Sequence, residues 1–508
     1  MYFCQLFILQ MAKRFHTKAL AIGSAVIMAC ACLNAEAQEI KSVQETIGMI
    51  AGDPSLADAV VGIYAEWGDG RPVADINSRT MLIPASNMKL ITTGASIHAL
   101  GPDFRFCTSI GHDGVIRDGV LDGNLYITGG GDPTLASKDS IATDINVIFR
   151  QWEEMIRRAG IRKIEGRIIG DGRYLDGMAE EASWLISDAG TYYGTGVTGL
   201  MFYENMMSFS VSGGREVGSP VNIEPYYPET PWMEFRYSCT TGQKGTGDLL
   251  YMYTNELAPV AEIRGTFGVD RGHKRVDFSN KFPEYTCAYY FLNYLKKRGI
   301  PCSGGCGDFK LDRMWEAKGE VTLIDSTTSP SLSRIVFETN HASNNVYAET
   351  LMRTLGRTTT GSACYDSSYV AMDKVLKEMG LNPKGIRIQD GSGLSRQNLV
   401  SAHFFCSFLK NMMSSPHFEE YVGSLPSPGK DGTMQYNMKN YPAAMRERIK
   451  VKSGSMSGVR CYSGYIIPTE GCKEDTIIFS IMVNNCTAPT WKVRPLLDKI
   501  MGILAGMN

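Results

Sequence analysis

The stretch Pro84-Ala85-Ser86-Asn87-Met88-Lys89 opens an apolar run that ends at Leu100 and Gly101. Met88 to Leu100 predicts a helix, with Gly101 as its C-terminal stop. Ser86 then sits at or near the helix start, where backbone N–H groups have no partner inside the helix. Lys89 follows one helical turn later, which brings its amine beside the Ser86 hydroxyl. A hydroxyl is a weak nucleophile until a base takes its proton, and a desolvated lysine can be that base without any histidine. Taken singly, S-x-x-K recurs by chance in long chains, where a surface lysine is its commoner meaning.

Working outward, Ala59–Trp67 and Pro72–Ile76 flank a glycine-containing turn and predict a β-hairpin. Beyond Cys107 the texture changes to short strands and glycine-rich turns. Strands are expected at Leu121–Thr128 and Lys163–Gly170, with a helix at Ile141–Ala159 between them. The region 181–264, rich in Tyr, Gly and Pro, reads as β-rich. Helical patterns return at Leu332–Leu355, Ser367–Met379 and Ala402–Met413. The chain closes on an apolar strand, Thr476–Val483, and an amphipathic helix, Trp491–Leu504. Helix and strand material at both ends around a β-rich middle predicts an α/β domain interrupted by a large insertion.

Two later motifs complement the first. Ser343-Asn344-Asn345 lies in helical sequence, where a hydroxyl and a carboxamide two residues apart can face one cleft. The Ser343 hydroxyl can relay a proton, and the Asn345 carboxamide can bond both the lysine and a substrate amide. Lys452-Ser453-Gly454-Ser455 lies in an extended segment. Gly454 permits close approach of a ligand to the backbone, and Lys452 with the Ser453 and Ser455 hydroxyls suits a substrate carboxylate. Each has a plainer meaning by itself: a cap or turn for the first, an edge-strand lysine for the second.

Composition narrows the field. The chain has 508 residues, enough for two to four domains, and 51 Lys+Arg against 53 Asp+Glu argue against a dedicated nucleic-acid binder. Lys13, Arg14 and Lys18 precede an apolar stretch from Ala19 to about Leu33, and Ala35-Glu36-Ala37 supplies a small-x-small cleavage site. Residues 1–37 therefore read as an export leader, with Gln38 the expected mature start and Met11 an alternative initiator. A membrane helix is the competing meaning, although the apolar run falls short of the about 20 residues a span needs. Lipid attachment at Cys30 is a further variant. No later run reaches spanning length. Of 13 cysteines, Cys4, Cys30 and Cys32 would leave with the leader. Cys302 and Cys306 could pair, but no neighbouring couple completes a metal set, so no metal or cofactor is expected.

The order S-x-x-K, S-x-N, K-S/T-G is the signature of penicillin-recognising serine enzymes. The chain resembles the class C low-molecular-mass penicillin-binding proteins, the D-alanyl-D-alanine carboxypeptidase/endopeptidase family. The resemblance runs through Pro84–Lys89, Gly123–Tyr126, Gly129–Leu135, Tyr192–Gly194 with Asn205, and Ser343–Asn345. It continues through Asp390–Arg396 with Asn398 and Leu399, Lys452–Ser455, Ser457–Val459 and Ser463–Tyr465. Ser453 stands where the family commonly has threonine; both carry a hydroxyl.

The resemblance implies a transpeptidase/β-lactamase-like domain, an α+β sandwich, built from 38–106 and 320–508. An inserted domain is implied at 107–180 with 265–319, and a second nested β-rich domain at 181–264. It implies peptidoglycan stem peptides as substrate, β-lactam antibiotics as covalent inhibitors, and a periplasmic location. It also implies that Arg396 and an acidic residue of the insert, matched by position to Asp171, hold the stem-peptide side chain. Lys89 would activate Ser86, Ser343 with Lys452 would pass the proton on, and backbone N–H groups of Ser86 and Ser455 would hold the oxyanion. The insert is expected to stand apart from this acylating machinery.

Three other readings share parts of the pattern. A β-lactamase would use a Glu in an E-x-x-x-N string, which Glu378 to Asn382 fits. An inactive peptidoglycan-binding homologue would keep the fold alone. A Ser-His-Asp hydrolase would need His341, but no G-x-S-x-G elbow occurs.

Overall fold

The computed structural model describes residues 38–312 and 320–507. The expected leader, with Met11 and Cys30, lies outside the described residues. Both ends of the chain meet in one five-stranded antiparallel sheet. Its order is Ile449–Met456, Val459–Ile466, Ile477–Asn484, Val60–Trp67 and Pro72–Ile76. Ile477–Asn484 is buried along its whole length, as its unbroken run IIFSIMVN requires for a strand covered on both faces. It pairs with Val60–Trp67 so that Ile481 stands opposite Ile63.

One face packs against the helix 38–51 and the C-terminal helix Thr490–Ala505, through Val493, Leu497, Ile500 and Leu504. The other face meets Ala402–Met413, whose buried Phe405, Phe408, Leu409 and Met412 follow helical spacing. Beyond it lies Met88–Leu100, buried continuously from Met88 to Ile97. Each buried Leu, Ile or Phe in these layers contributes about 1.5–3 kcal/mol. The Met88–Leu100 helix is therefore a central strut and a rigid mount for the residues at its start.

The intervening chain builds further sheets. One has the order Cys306–Asp308, Ile168–Asp171, Leu125–Gly129, Cys107–His112 and Thr322–Thr328. It is covered by Ile145–Arg158 and Pro283–Lys297. Two three-stranded sheets share a second core. One comprises Asn222–Tyr227, Met206–Ser212 and Lys274–Ser279; the other comprises Glu234–Gly242, Ala258–Gly268 and Tyr251–Asn255. Two strands pair across the boundaries expected from sequence. Thr322–Thr328 joins Cys107–His112, and Lys274–Ser279 joins Met206–Ser212, because backbone hydrogen bonding links them there.

Other expectations shift locally. The single strand expected at Leu121–Thr128 is two, Val120–Asp122 and Leu125–Gly129. The long helix expected from Leu332 divides into Leu332–His341 and Asn345–Thr360. Ser343 lies at the break with φ +61°, a left-handed conformation costly for a residue with a Cβ. Asn344 caps the second helix by accepting from Tyr347 N at 3.2 Å.

Buried Arg353 ties the helical layer to the insert. It donates to the carbonyls of Ala363, Val197 and Asp176 at 2.8, 2.7 and 2.6 Å. The ten cysteines among the described residues are free thiols, Cys302 and Cys306 included. Among the described residues no helix is long and apolar enough to cross a membrane.

Candidate active site

Ser86 stands in the short turn Ala85–Asn87 immediately before the buried helix. Ala85 takes φ +46°, so the turn is strained and held by its surroundings. Asn87 anchors it to the sheet by donating to Ser463 Oγ at 2.7 Å, and Ser463 in turn meets Ser480 at 2.8 Å. Two glycines let neighbouring backbone press against this turn. A Cβ on Gly454 would lie 2.5 Å from the Pro84 carbonyl oxygen. A Cβ on Gly393, at φ +85°, would lie 1.8 Å from that of Ala85.

Lys89 is wholly buried. Its Nζ lies 3.0 Å from Ser86 Oγ, 2.6 Å from Asn345 Oδ1 and 2.7 Å from the Ser392 carbonyl oxygen. Two of these neighbours can only accept, whereas the Ser86 hydroxyl can also donate. A neutral amine matches that set, with two N–H donors and one lone pair directed at Ser86. Burial drives Lys89 down to about 7, against the pull of Asp390 and then Glu349 toward the charged form. The amine is therefore part neutral near pH 7 and can accept a proton.

Lys452, also wholly buried, lies 2.9 Å from Ser343 Oγ and 2.8 Å from its neighbour's carbonyl at Ser453. Burial, reinforced by the nearby Lys89, pushes it well below the ordinary lysine value. Two lysines and two serines thus form two amine–hydroxyl pairs, Lys89–Ser86 and Lys452–Ser343. Asn345 touches the first pair through Oδ1, while its Nδ2 donates to the Tyr193 carbonyl at 2.8 Å.

That last bond corrects an expectation. The insert does not stand apart from the serine–lysine centre, because the Tyr193 backbone orients the Asn345 amide. Asn344 likewise donates to Glu204 Oε2 at 2.8 Å. Buried Lys281 braces the Tyr193 segment by donating to the carbonyls of Ala189 at 2.6 Å and Gly194 at 3.2 Å. Burial lowers Lys281.

The cleft in front of Ser86 has a volume of about 690 Å³. Ser343, Asn345, Ser455 and Arg396 line it together with Ser86. Ser453 turns aside and donates to Thr433 Oγ1 at 2.9 Å. Arg396 is exposed and reaches the Ser457 carbonyl only at 3.4 Å, so its charge is available to the cleft.

Asp171 is not brought to the cleft. It is buried in the insert's sheet and closed in a two-point pair with Arg173, both contacts at 2.9 Å. Proximity along the strand pointed to Asp171, but the pleat and Arg173 turn its carboxylate elsewhere. Three acids of the insert, Asp139, Asp188 and Glu204, line the cleft; Asp188 lies near enough to Arg396 to feel its charge, and burial pushes the Asp188 carboxyl up. The signal for it was its place just before Tyr192-Tyr193-Gly194.

Sequence reading also passed over Glu349 and did not use Asp390 chemically. Glu349 accepts from the N–H groups of Gly391 at 3.1 Å and Ser392 at 2.7 Å. Burial and then Asp390 push Glu349 up. Asp390 accepts from Gly393 N at 2.7 Å, Ser395 N at 2.5 Å, Trp184 Nε1 at 2.9 Å and Asn398 Nδ2 at 2.8 Å. Together the two carboxylates hold the loop whose Ser392 carbonyl meets Lys89. Glu349 was findable: it follows Asn345 by four residues and so shares its helix face.

The competing strings resolve differently. Glu378 ends the helix Tyr365–Glu378 on the surface, 3.9 Å from Lys374, with Gly380 turning the chain at φ +79°. His341 stacks on Phe337 at 4.6 Å and is not among the cleft-lining residues.

Comparison with known proteins agrees with this geometry. Residues 43–500 match the model of the D-Ala-D-Ala carboxypeptidase 3 (S13) family. A D-alanyl-D-alanine carboxypeptidase from Actinomadura sp. is 27% identical over 477 residues, covering 90% of this chain and 84% of the relative. A penicillin-sensitive carboxypeptidase A from Dictyostelium discoideum is 25% identical over 460 residues, covering 86% and 84%. In fold, the chain is similar to the crystal structure of penicillin binding protein 4 from Haemophilus influenzae. The TM-score is 0.77 at 20% identity, over 91% of this chain and 98% of that one. With its family matched across nearly the whole described chain, this protein belongs to the D-Ala-D-Ala carboxypeptidase 3 (S13) family and is a serine-type carboxypeptidase.

Proposed function

We propose that Ser86 is the nucleophile of this carboxypeptidase and Lys89 its general base, acting on peptidoglycan stem peptides. The observation that carries this reading is the environment of Lys89 Nζ: two carbonyl acceptors, one serine hydroxyl and complete burial. Neutral Lys89 takes the Ser86 proton as Oγ attacks the carbonyl carbon of the penultimate D-Ala. Backbone N–H groups of Ser86 and Ser455 receive the oxyanion, each worth about 3 kcal/mol in comparable sites. The proton taken up by Lys89 returns through Ser343, which gives its own proton to the departing D-Ala nitrogen and regains one from the Lys89 ammonium, while Lys452 holds the Ser343 hydroxyl in place. Water then hydrolyses the ester on Ser86 and restores the hydroxyl.

Asn345 holds Lys89 with one end of its amide, and Ser455 meets the substrate's terminal carboxylate. Arg396 and Asp188, of opposite charge, suit a stem-peptide side chain ending in both an ammonium and a carboxylate. Cross-linked peptides present the same bond and are substrates too. β-Lactams acylate Ser86, a reading supported by the H. influenzae relative solved in complex with a β-lactam. The mature protein acts in the periplasm after removal of residues 1–37.

Labelled penicillin incubated with purified protein, followed by proteolysis and mass mapping, tests the assignment. The label is expected on Ser86, and Ser86→Ala is expected to abolish it. In parallel, a stem pentapeptide should lose one D-Ala. Label on another serine, or a pentapeptide left intact by folded protein, overturns the reading.

A further inference from the structure

Arg460 stands directly across the antiparallel ladder from Ser455. Its guanidinium donates to Ser455 Oγ and Thr490 Oγ1, and to the carbonyls of Met456 at 3.2 Å and Val459 at 2.9 Å. All four acceptors are neutral oxygens. Among the described residues Arg460 has no carboxylate partner, so four contacts fix its position while none neutralises its charge. A cation held this way, without an anion, at the back of a binding strand is uncommon on a surface where arginines usually find carboxylates.

The contact also decides what Ser455 can do. Its oxygen accepts from Arg460, which leaves the Ser455 O–H proton free to donate. Ser455 is exposed and lines the cleft beside Ser86, so that proton faces the space a substrate enters. Lys452, the other cation expected for a substrate carboxylate, is buried and committed to Ser343 and the Ser453 carbonyl. Burial, with Lys89 nearby, also pushes Lys452 well below the ordinary lysine value. Of the two arginines near the cleft, Arg396 lies on the loop across from this strand, nearest Ser457.

We propose that Arg460 is a positioning residue for the free α-carboxylate on the leaving side of the scissile bond, acting through the hydroxyl of Ser455. Arg460 polarises Ser455 and sets its rotamer; Ser455 donates to the carboxylate; the guanidinium charge reinforces that bond from behind. The inference rests on Ser455 being the carboxylate contact of the serine peptidase described above. It assigns the selectivity for a free acid terminus to an arginine outside the three motifs.

The test compares two stem pentapeptides, one ending in a free carboxylate and one in a carboxamide. Both are assayed with the wild-type protein, Arg460→Gln and Arg460→Lys. The wild type is expected to prefer the acid. Arg460→Gln is expected to lower the acid-to-amide ratio of kcat/KM at least tenfold, mainly through KM for the acid. Arg460→Lys is expected to recover a large part of that ratio, because an ammonium still lies behind Ser455. A merely structural role would lower both substrates together and leave the ratio unchanged, and that result overturns the proposal. An unchanged ratio in well-expressed Arg460→Lys together with Arg460→Gln overturns it equally. Mass mapping of Ser86 acylation by labelled penicillin in the wild type runs alongside. Failure there would refute the underlying function itself, a result separate from loss of the acid preference.

Discussion

The pH dependence of Ser86 acylation is the sharpest consequence of how Lys89 is housed. Only the neutral amine can take the Ser86 proton, so the acylation rate should follow the deprotonated fraction of Lys89. Burial brings that group to about 7. A single titration at that position leaves about one-tenth of the amine neutral at pH 6 and about nine-tenths at pH 8. The second-order rate of labelling by a fluorescent penicillin should therefore rise about tenfold across that interval and level off above it. The direction follows from the base: protonation removes it, so activity is lost as pH falls through Lys89's folded value. Lys89→Arg provides the matched control, since a guanidinium keeps the charge but does not deprotonate. It should reduce labelling by about a hundredfold or more at every pH, within the usual worth of a general base. Rates would be taken by quenched labelling and gel fluorescence, with circular dichroism confirming folding at each pH. A midpoint near 10, the ordinary lysine value, would refute the claim that burial tunes Lys89. So would a flat profile, or Lys89→Arg labelling within about tenfold of the parent.

Gly454→Val should slow Ser86 acylation about a hundredfold while preserving the fold by circular dichroism, because a Cβ there meets the Pro84 carbonyl at 2.5 Å and pushes the strand off the nucleophile turn. Labelling within threefold of wild type would refute that packing argument. Asp390→Ala strands four buried or half-buried donors and should lower the urea midpoint, by at least about 3 kcal/mol in the unfolding of the catalytic region, together with loss of acylation. Asp188→Asn and Arg396→Gln should each raise KM for a stem peptide whose third side chain carries both charges, with less effect on one ending in an amine alone for Arg396→Gln. Equal KM changes for both peptides would remove Arg396 from side-chain recognition.

Removing the insert is a harsher perturbation than its sequence suggested. The Tyr193 carbonyl orients Asn345, and Arg353 is satisfied by the carbonyls of Val197 and Asp176. Excision would strip the buried Arg353 guanidinium of two of its three carbonyl acceptors, leaving that of Ala363, and would loosen the amide next to Lys89. The smaller change that keeps the chain intact, Lys281→Met, isolates the effect of bracing the Tyr193 segment.

What the sequence by itself determined is governed by short-range geometry. Ser86 and Lys89 are three residues apart at a helix start, so one turn of backbone brings hydroxyl and amine together. Gly101 ends that helix for a local reason, and the runs Val60–Trp67 and Ile477–Asn484 alternate or fill as strands must. The order of the three motifs then identified their common cleft. The tertiary structure decided everything that depends on which distant residues share a space. It broke the Leu332–Leu355 helix at Ser343, brought the Ser392 carbonyl and Asn345 to Lys89, and placed Glu349 and Asp390 behind them. It selected Asp188 over Asp171, because Asp171 is closed by Arg173 while Asp188 lines the cleft. It also brought the Arg460 guanidinium onto both Ser455 Oγ and Thr490 Oγ1, a contact with the remote C-terminal helix that the local hairpin register leaves open. The reason is physical: helix and strand spacing are properties of a few consecutive residues, whereas the basicity of Lys89 comes from desolvation. Desolvation exists only once several remote segments have closed around the amine.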